Sequence, residues 1–169
     1  MRLSTKVAFI ALSLILFSTA PVLADDDVPA RESLKGLPGV FVIVQDIEPA
    51  IEHAGLTKAD IQAEVERTLR TAGVPVLSRE EWLKTPGGPY LLVNTNLFNS
   101  DNPVWPFFVE VSSMQRVILE RSSANILFAP TWSVTTVGAV GSNKLSQVKD
   151  VVKEYVGQFI NAYLAMNPK

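Results

Sequence analysis

The chain contains one histidine, and three carboxylates lie close to it: Asp46, Glu48 and Glu52 all precede His53 within one short segment. An imidazole beside carboxylates can act as an acid–base pair, and clustered oxygen ligands can bind a divalent cation. However, the spacing matches no metal motif. One histidine in a chain without cysteine also cannot supply the nitrogen and sulfur ligands of a typical zinc site. We therefore interpret this weak acidic cluster as a solvated turn before a helix, and predict no metal and no cofactor.

Two further segments have residue types that occur in catalytic or anion-binding sites. The serine pairs at 112–113 and 122–123 lack a glycine elbow, and only His53 is available as a base. Residues 138–144 (GAVGSNK) are glycine-rich but lack the Gly-Lys-Ser/Thr ending of a phosphate loop. We predict a tight turn there, with Ser142 as the N-cap of the last helix. No catalytic residue is predicted, and the residues favour a protein that is not an enzyme; a small periplasmic hydrolase using carboxylates such as Glu48 and Glu52 is the alternative.

The aromatic loop at residues 99–106 (NSDNPVWP) runs directly into Phe107 and Phe108. Two prolines stiffen it, and Trp105 adds a third large ring to the two phenylalanines. Rigid aromatic side chains are common anchors of protein interfaces. They can equally fold back and seal the open end of a core. Trp105, Phe107 and Phe108 are therefore the hypothetical binding residues, and both interpretations stay open.

The elements that must position these residues follow from periodicity and capping signals. Thr57 and Gly73 delimit a helix with an apolar stripe at every fourth residue, and Ser78 with Glu81 forms a capping box. Apolar or alternating segments predict strands, and 3.6-residue spacing predicts a long final helix. The prediction is a two-layer α+β domain with two main helices and a mixed sheet of about five strands, in the order β-α-β-β-β-α or with one more strand before the last helix. The predicted strands are 39–46, 74–77, 90–98, 107–121 and 126–137, and the last helix is 144–166.

The strand at 107–121 has apolar residues on both of its faces. Val109 and Val117 share one parity, whereas Phe108, Met114 and Ile118 share the other. A sheet with helices on one face only would leave the second set partly exposed, which indicates a partner or self-association. A bulge near residues 112–113 would instead exchange the two faces. In the strand at 126–137, alternation places Phe128 with Trp132 and Val134.

Residues 1–24 have the three zones of a cleavable signal peptide. Arg2 and Lys6 precede an apolar run at 7–17, and residues 22–24 (VLA) supply the small residues that signal peptidase requires. The apolar run is shorter than a membrane span, although an uncleaved anchor is the alternative. We predict a signal peptide at 1–24, an N-terminal arm at 25–38 and one domain at 39–169. The expected location is periplasmic or secreted, with no stable membrane insertion after cleavage.

Composition limits the classes of partner. Removing the leader takes two of the 15 basic residues and none of the 17 acidic ones, so the net charge of −2 becomes −4. A mildly acidic chain without a basic run lacks the electrostatic signature of a nucleic-acid-binding protein. Because the chain contains no cysteine, no disulfide can form and the fold is stabilised by packing alone. The expected partners are an envelope protein or a second copy of the chain.

Residues 40–79 resemble the opening strand–helix–strand unit of small envelope domains. The resemblance is carried by the strand VFVIV, the stripe of Ile61, Val65 and Leu69, then Gly73 and the strand VPVL followed by Ser78-Arg79. The N-terminal domain of the periplasmic protein TolB and the curli-secretion lipoprotein CsgG contain such units. The lipoprotein's cysteine is missing here. The resemblance implies an envelope-assembly or accessory role and assigns no site residue. The leading hypothesis is a non-catalytic binding or accessory module of the cell envelope, which uses the aromatic loop or the exposed sheet face; a homo-oligomeric structural protein is a further alternative.

Overall fold

The computed structural model describes residues 27–98 and 103–168. The predicted signal peptide and residues 99–102 of the aromatic loop lie outside these ranges. The described elements follow in chain order: α1 (Val28–Glu32), β1 (Phe41–Val44), α2 (Pro49–His53), α3 (Lys58–Ala72), α4 (Arg79–Lys84), β2 (Tyr90–Leu97), β3 (Val104–Leu119), β4 (Ser122–Gly141) and α5 (Ser146–Met166).

The predicted α+β class is confirmed, with four strands in a mixed sheet rather than about five and with two long helices. The strand order is β1-β2-β3-β4, in which β1 and β2 are parallel and the other pairs antiparallel. The long helices α3 and α5 contact each other and pack on β1 and β3 respectively. Both therefore lie on one face of the sheet, which we call the covered face. We call the opposite side the open face.

Side chains of the covered face form the core with the helices. Val44, Val93, Val111 and Val134 lie side by side across the four strands, and each is buried. One row further along, the Trp132 ring meets Phe159 of α5 edge-on, with ring centroids 5.4 Å apart. Strand alternation places the neighbouring residue of each strand on the open face.

The α3 prediction is confirmed at both ends. The Thr57 hydroxyl accepts a hydrogen bond from the Asp60 backbone N–H at 3.1 Å. Gly73 ends the helix at φ 83°, a left-handed conformation that favours glycine. The N-cap prediction for α5 is wrong, because Leu145 occupies the cap position without a side-chain bond. Residues 138–141 of the predicted turn belong to β4, so the turn itself comes later.

The predicted strand at 74–77 is reduced to one parallel bridge between Val40 and Val76. Val40 donates its N–H to the Pro75 carbonyl, and Leu77 donates to the Val40 carbonyl. A longer ladder is prevented on one side because proline has no N–H to donate. On the other side, the chain turns at once into the capping box of α4.

A register shift lies between Ser113 and Met114, where the sequence allowed for a bulge. Ser113 pairs with Trp132 and Met114 pairs with Pro130, so the extra residue is Thr131 of β4. The exchange of faces therefore occurs in β4 and leaves β3 unaffected. The prediction that Phe128 shares a face with Trp132 is wrong for this reason. Phe108, Met114 and Ile118 stay on the open face.

Part of the predicted N-terminal arm is ordered against the domain. Asp27 caps α1, and Leu34 after it is fully buried. The Tyr163 hydroxyl of α5 donates to the Leu37 carbonyl at 2.8 Å, and Asn167 donates to the Leu34 carbonyl at 2.9 Å. These bonds hold the segment before β1 to the end of α5.

Candidate binding surface

In the part of the chain that the structure describes, the short helix α4 covers one end of the open face. Four rings lie there in a connected series, which we call the aromatic row: Trp82, Phe41, Tyr90 and Phe128. Trp82 stacks on Phe41 with centroids 5.2 Å apart, and its edge meets Tyr90 at 6.2 Å. Tyr90 lies 5.4 Å from Phe128. The row therefore crosses the sheet from α4 to β4.

The register of the strands explains why the four rings meet. Phe41 pairs with Tyr90, Tyr90 pairs with Met114, and Met114 pairs with Pro130. Residues paired across adjacent strands lie on the same face. The bulge then rotates Phe128 onto this face, next to Tyr90. Trp82 is fixed from α4 by its indole N–H, which donates to the Gly88 carbonyl at 2.8 Å.

One end of the aromatic row is charged. The Arg116 guanidinium lies over the Phe128 ring, 5.6 Å from its centroid, which is within the range of a cation–π interaction. The Arg116 backbone N–H donates to the Gly87 carbonyl at 2.9 Å. This bond ties the loop after α4 to β3. The end of the row therefore combines flat apolar rings with a planar cation.

Beyond Met114, β3 and β4 continue past the end of β2 as a two-stranded segment, which we call the ribbon (residues 115–129). On the open-face side of the ribbon, Ile118 pairs with Ile126, and each is 62% exposed. Phe128 on the same side is 39% exposed. The opposite side of the ribbon presents Leu127 at 40%. Such contiguous exposed apolar side chains are typical of interaction sites.

The middle of the open face is polar. Asn94, Glu110 and Thr135 form one row across three strands. The Ser112 hydroxyl donates to the Glu110 carboxylate at 2.9 Å, and Asn96 donates to the Asn94 side chain at the same distance. The open face is thus an apolar and aromatic region next to a row of amide, hydroxyl and carboxylate groups.

The structure separates the three aromatic residues that the sequence grouped as a binding loop. Phe107 lies on the covered face and is 9% exposed. Trp105 is half-buried and packs against the core. Phe108 is half-buried on the open face, where it pairs with Asn96 and Val137. Only Phe108 therefore adds directly to the surface that carries the aromatic row.

The weak acidic cluster lies on the surface, around the short helix α2. The Lys58 ammonium donates a hydrogen bond to the Asp46 carboxylate at 2.6 Å, and this bond lowers the pKa of the Asp46 carboxyl. Glu52 accepts the Lys58 backbone N–H at 3.2 Å. Glu48 occupies the cap position of α2 without a side-chain bond, and the exposed His53 ring contacts the Pro49 carbonyl. Asp46 and Glu52 thus bond to two different groups of Lys58, and the three acids do not converge on a common centre.

Within residues 27–98 and 103–168, no group of three or more histidines, cysteines or carboxylates is arranged to hold a metal ion.

A cleft of about 420 Å³ between α3 and α5 is lined by acidic and basic side chains together. Asp60 pairs there with Lys149 at 3.0 Å, and Glu64 pairs with Arg67. In both pairs the hydrogen bond lowers the pKa of the carboxyl. A general acid requires the opposite shift.

Sequence reasoning missed the aromatic row. It gave Trp82 no part in a surface and assigned Phe128 to the same face as Trp132 and Val134. The parallel pairing of Phe41 with Tyr90 could be anticipated, because both residues begin apolar strands of one sheet. The contribution of Phe128 could not, since it depends on one extra residue in β4.

Comparisons with known proteins assign no family to this fold. No family model matches the chain, and no curated protein matches it either. In the parts of the chain that the structure describes, no helix is long and apolar enough to cross a membrane.

Proposed function

We propose that the protein is a non-catalytic binding module of the cell envelope, and that the open face with the ribbon is its binding surface. The observation that carries this proposal is the aromatic row, continued by the exposed side chains of Ile118 and Ile126. Aromatic rings and arginine are the residue types that dominate binding energy at interfaces. Here they lie together on the sheet face that the two long helices leave uncovered.

Export supports the envelope location. The charged start, apolar core and VLA ending of residues 1–24 have the order of a cleavable leader. We place the protein in the periplasm or outside the cell on this basis. The resemblance of residues 40–79 to envelope domains fits the same assignment.

The chemistry of the surface favours a protein partner with its own apolar patch. The exposed side chains are mainly aliphatic, and the aromatic rings contact one another, which leaves their edges and one end of the row accessible. A partner that covers Ile118, Ile126 and Phe128 would also reach the Arg116 guanidinium. An acidic group at the rim of that partner's patch would complement it.

Site-specific photo-crosslinking in cells tests the surface directly. A photoreactive residue at Ile118 is compared with one at Val28 of α1, which is 69% exposed and lies away from the open face. We expect a discrete adduct with an envelope protein from position 118 and none from position 28. The same adduct from both positions, or none from position 118, would contradict the proposal.

A second measurement uses variants that remove single rings. Phe128→Ala and Phe108→Ala should each reduce recovery of the crosslinked partner in a pulldown from envelope extract, whereas Trp105→Ala should reduce it less because that ring packs against the core. Val28→Ala is the matched exposed control. Equal recovery of the partner with all four variants would show that the binding site does not lie on the open face.

A further inference from the structure

Within residues 27–98 and 103–168, another segment pairs with one edge of the sheet and none pairs with the other. At the β1 edge, the segment after α3 lies alongside the strand and bonds to it through the Val40–Val76 bridge. At the other edge lies β4, which is the longest strand at 20 residues. Edge strands present unpaired backbone groups that can template the addition of another strand.

The hydrogen-bond pattern identifies which groups of β4 point outward. Just beyond the strand, Ser142 donates its N–H to the Pro103 carbonyl at 2.9 Å. Hydrogen-bonded pairs alternate in an antiparallel ladder, so the even-numbered residues 134–140 direct their backbone toward β3. The odd-numbered residues Ser133, Thr135, Val137 and Ala139 direct theirs away from the sheet. The bulge ends this regular stretch at Thr131, and Pro130 before it has no N–H to offer.

The sequence of β4 contains no charged residue. Long edge strands are usually protected by charges, by proline or by bulges. In β4, Pro130 and the bulge protect only the middle, and the stretch from 133 to 141 has neither charge nor proline. A strand without charged side chains has no electrostatic preference for an acidic or a basic partner strand. An identical, uncharged strand can pair with it because no like charges are brought together.

We propose that a second copy of this chain pairs with β4 along residues 133–139, antiparallel, so that the two sheets become one continuous eight-stranded sheet. A two-fold axis makes every outward N–H of one copy face an outward carbonyl of the other, which is the self-complementary condition for a symmetric dimer. This inference rests on backbone groups and does not depend on the binding surface proposed above.

Contacts already made at this edge are compatible with the pairing. The Thr136 hydroxyl donates to the Val137 carbonyl at 3.5 Å, and beyond the pairing stretch the Lys144 N–H donates to the Gly141 carbonyl at 2.8 Å. The Tyr155 hydroxyl donates to the Thr135 carbonyl at 3.5 Å, the long limit for such a bond. A carbonyl oxygen has two lone pairs, so Thr135 can accept a second donor from a neighbouring strand. The exposed Val137 side chain, 70% accessible, would gain cover from the adjoining copy.

Sedimentation equilibrium of the purified protein and its Ala139 variants tests the proposal. Ala139 is exposed, and Ala139→Pro removes one outward N–H while Gly138 and Val140 keep the bonds to β3. Because the two-fold axis repeats the loss, we expect dimerisation to weaken about tenfold or more. Ala139→Lys is the second variant, in case proline disturbs the strand. Ala165→Lys, at an exposed alanine of α5, is the matched control and should leave the dimer intact.

Amide hydrogen exchange of the wild type adds a readout of the register. In the dimer, the amides of Ser133, Thr135, Val137 and Ala139 should be protected together with those of their even-numbered neighbours. In dilute, monomeric protein the odd-numbered amides should exchange faster. A wild type that stays monomeric at the highest attainable concentration, or a dimer that both Ala139 variants preserve, would overturn the proposal. Neither result bears on crosslinking from position 118, so the two proposals fail separately.

Discussion

The two faces of one sheet are composed differently although they alternate along the same strands. On the covered face, Val44, Val93, Val111 and Val134 form a row in which every residue is apolar and buried. The adjacent row on the open face begins with Ile43 and Leu92 but ends with Ser112 and Ser133. Thus β1 is apolar on both sides, whereas β2, β3 and β4 carry polar residues along the middle of the open face.

This difference indicates two separate requirements on the sequence. The covered face must be filled because two long helices pack on it and close packing leaves few voids. Even its polar residues Thr95 and Ser113 are buried there. The open face needs only enough apolar contact to hold α4 and the aromatic row. The exposed rings and aliphatic side chains of the open face go beyond this requirement, and the stability of the fold does not explain them.

The largest test of this comparison removes one large ring from each face. Trp132 is 1% exposed and packs against Phe159, so Trp132→Ala should lower the free energy of unfolding by about 3–5 kcal/mol. Phe128 is 39% exposed and contributes mainly its contact with Tyr90, so Phe128→Ala should lower it by about 1 kcal/mol. Urea denaturation measures both. Losses of similar size would show that the open face is also part of the core.

The sequence predicted the covered face better than the open one, and α3 shows why. Its two ends are set by local signals, because the Thr57 hydroxyl and the left-handed Gly73 act within one turn. Its stripe of Ile61, Val65 and Leu69 is buried as expected. Capping and periodicity are local properties of the chain, so they are readable without knowledge of the tertiary structure.

Other features depend on partners far apart in the sequence. The face of Phe128 depends on Thr131 being the extra residue, and nothing in the alternation of β4 marks it. The reduction of residues 74–77 to one bridge depends on Pro75 meeting Val40. The sequence grouped Phe107 with Phe108 as hypothetical binding residues. Alternation along β3 instead places Phe107 on the face that the helices cover, where it is buried, and Phe108 on the open face.

A second test examines how tightly the covered side is packed near the end of β4. A Cβ at Gly138 would lie 2.6 Å from the Phe107 ring, because the ring lies directly over the glycine with which it pairs. Gly138→Ala should therefore destabilise the protein by about 1–3 kcal/mol. Gly157 in α5 has open space where a Cβ would stand, so Gly157→Ala should stabilise it by up to about 1 kcal/mol. Thermal unfolding should show a lower melting temperature for Gly138→Ala and a higher one for Gly157→Ala. An unchanged melting temperature for Gly138→Ala would mean that the Phe107 ring can move aside.

A third test concerns α4, the only helix that contacts the aromatic row in the described chain. None of its residues is buried, so its position depends on the stacked Trp82 and on the capping box of Ser78 and Glu81. Ser78→Ala should lower the free energy of unfolding by about 1 kcal/mol and weaken the near-UV dichroism of the stacked Trp82. Ser146→Ala, at the start of α5 outside any cap bond, is the control. An unchanged aromatic signal would show that the ring contacts alone hold α4.

The smallest expected effect is the pH dependence of the link between the two long helices. Lys149 of α5 donates to the Asp60 carboxylate of α3, and this hydrogen bond lowers the pKa of Asp60 in the folded protein. A carboxyl with a depressed folded pKa stabilises the fold above its unfolded pKa, and this contribution is lost as the pH falls through the folded pKa. The difference in urea midpoint between wild type and Asp60→Asn should therefore be largest near neutral pH and should vanish in acid. Because the pair is exposed, added salt should also diminish it. A difference that persists in acid would assign the effect of Asp60 to its position in the first turn of α3 and not to its charge.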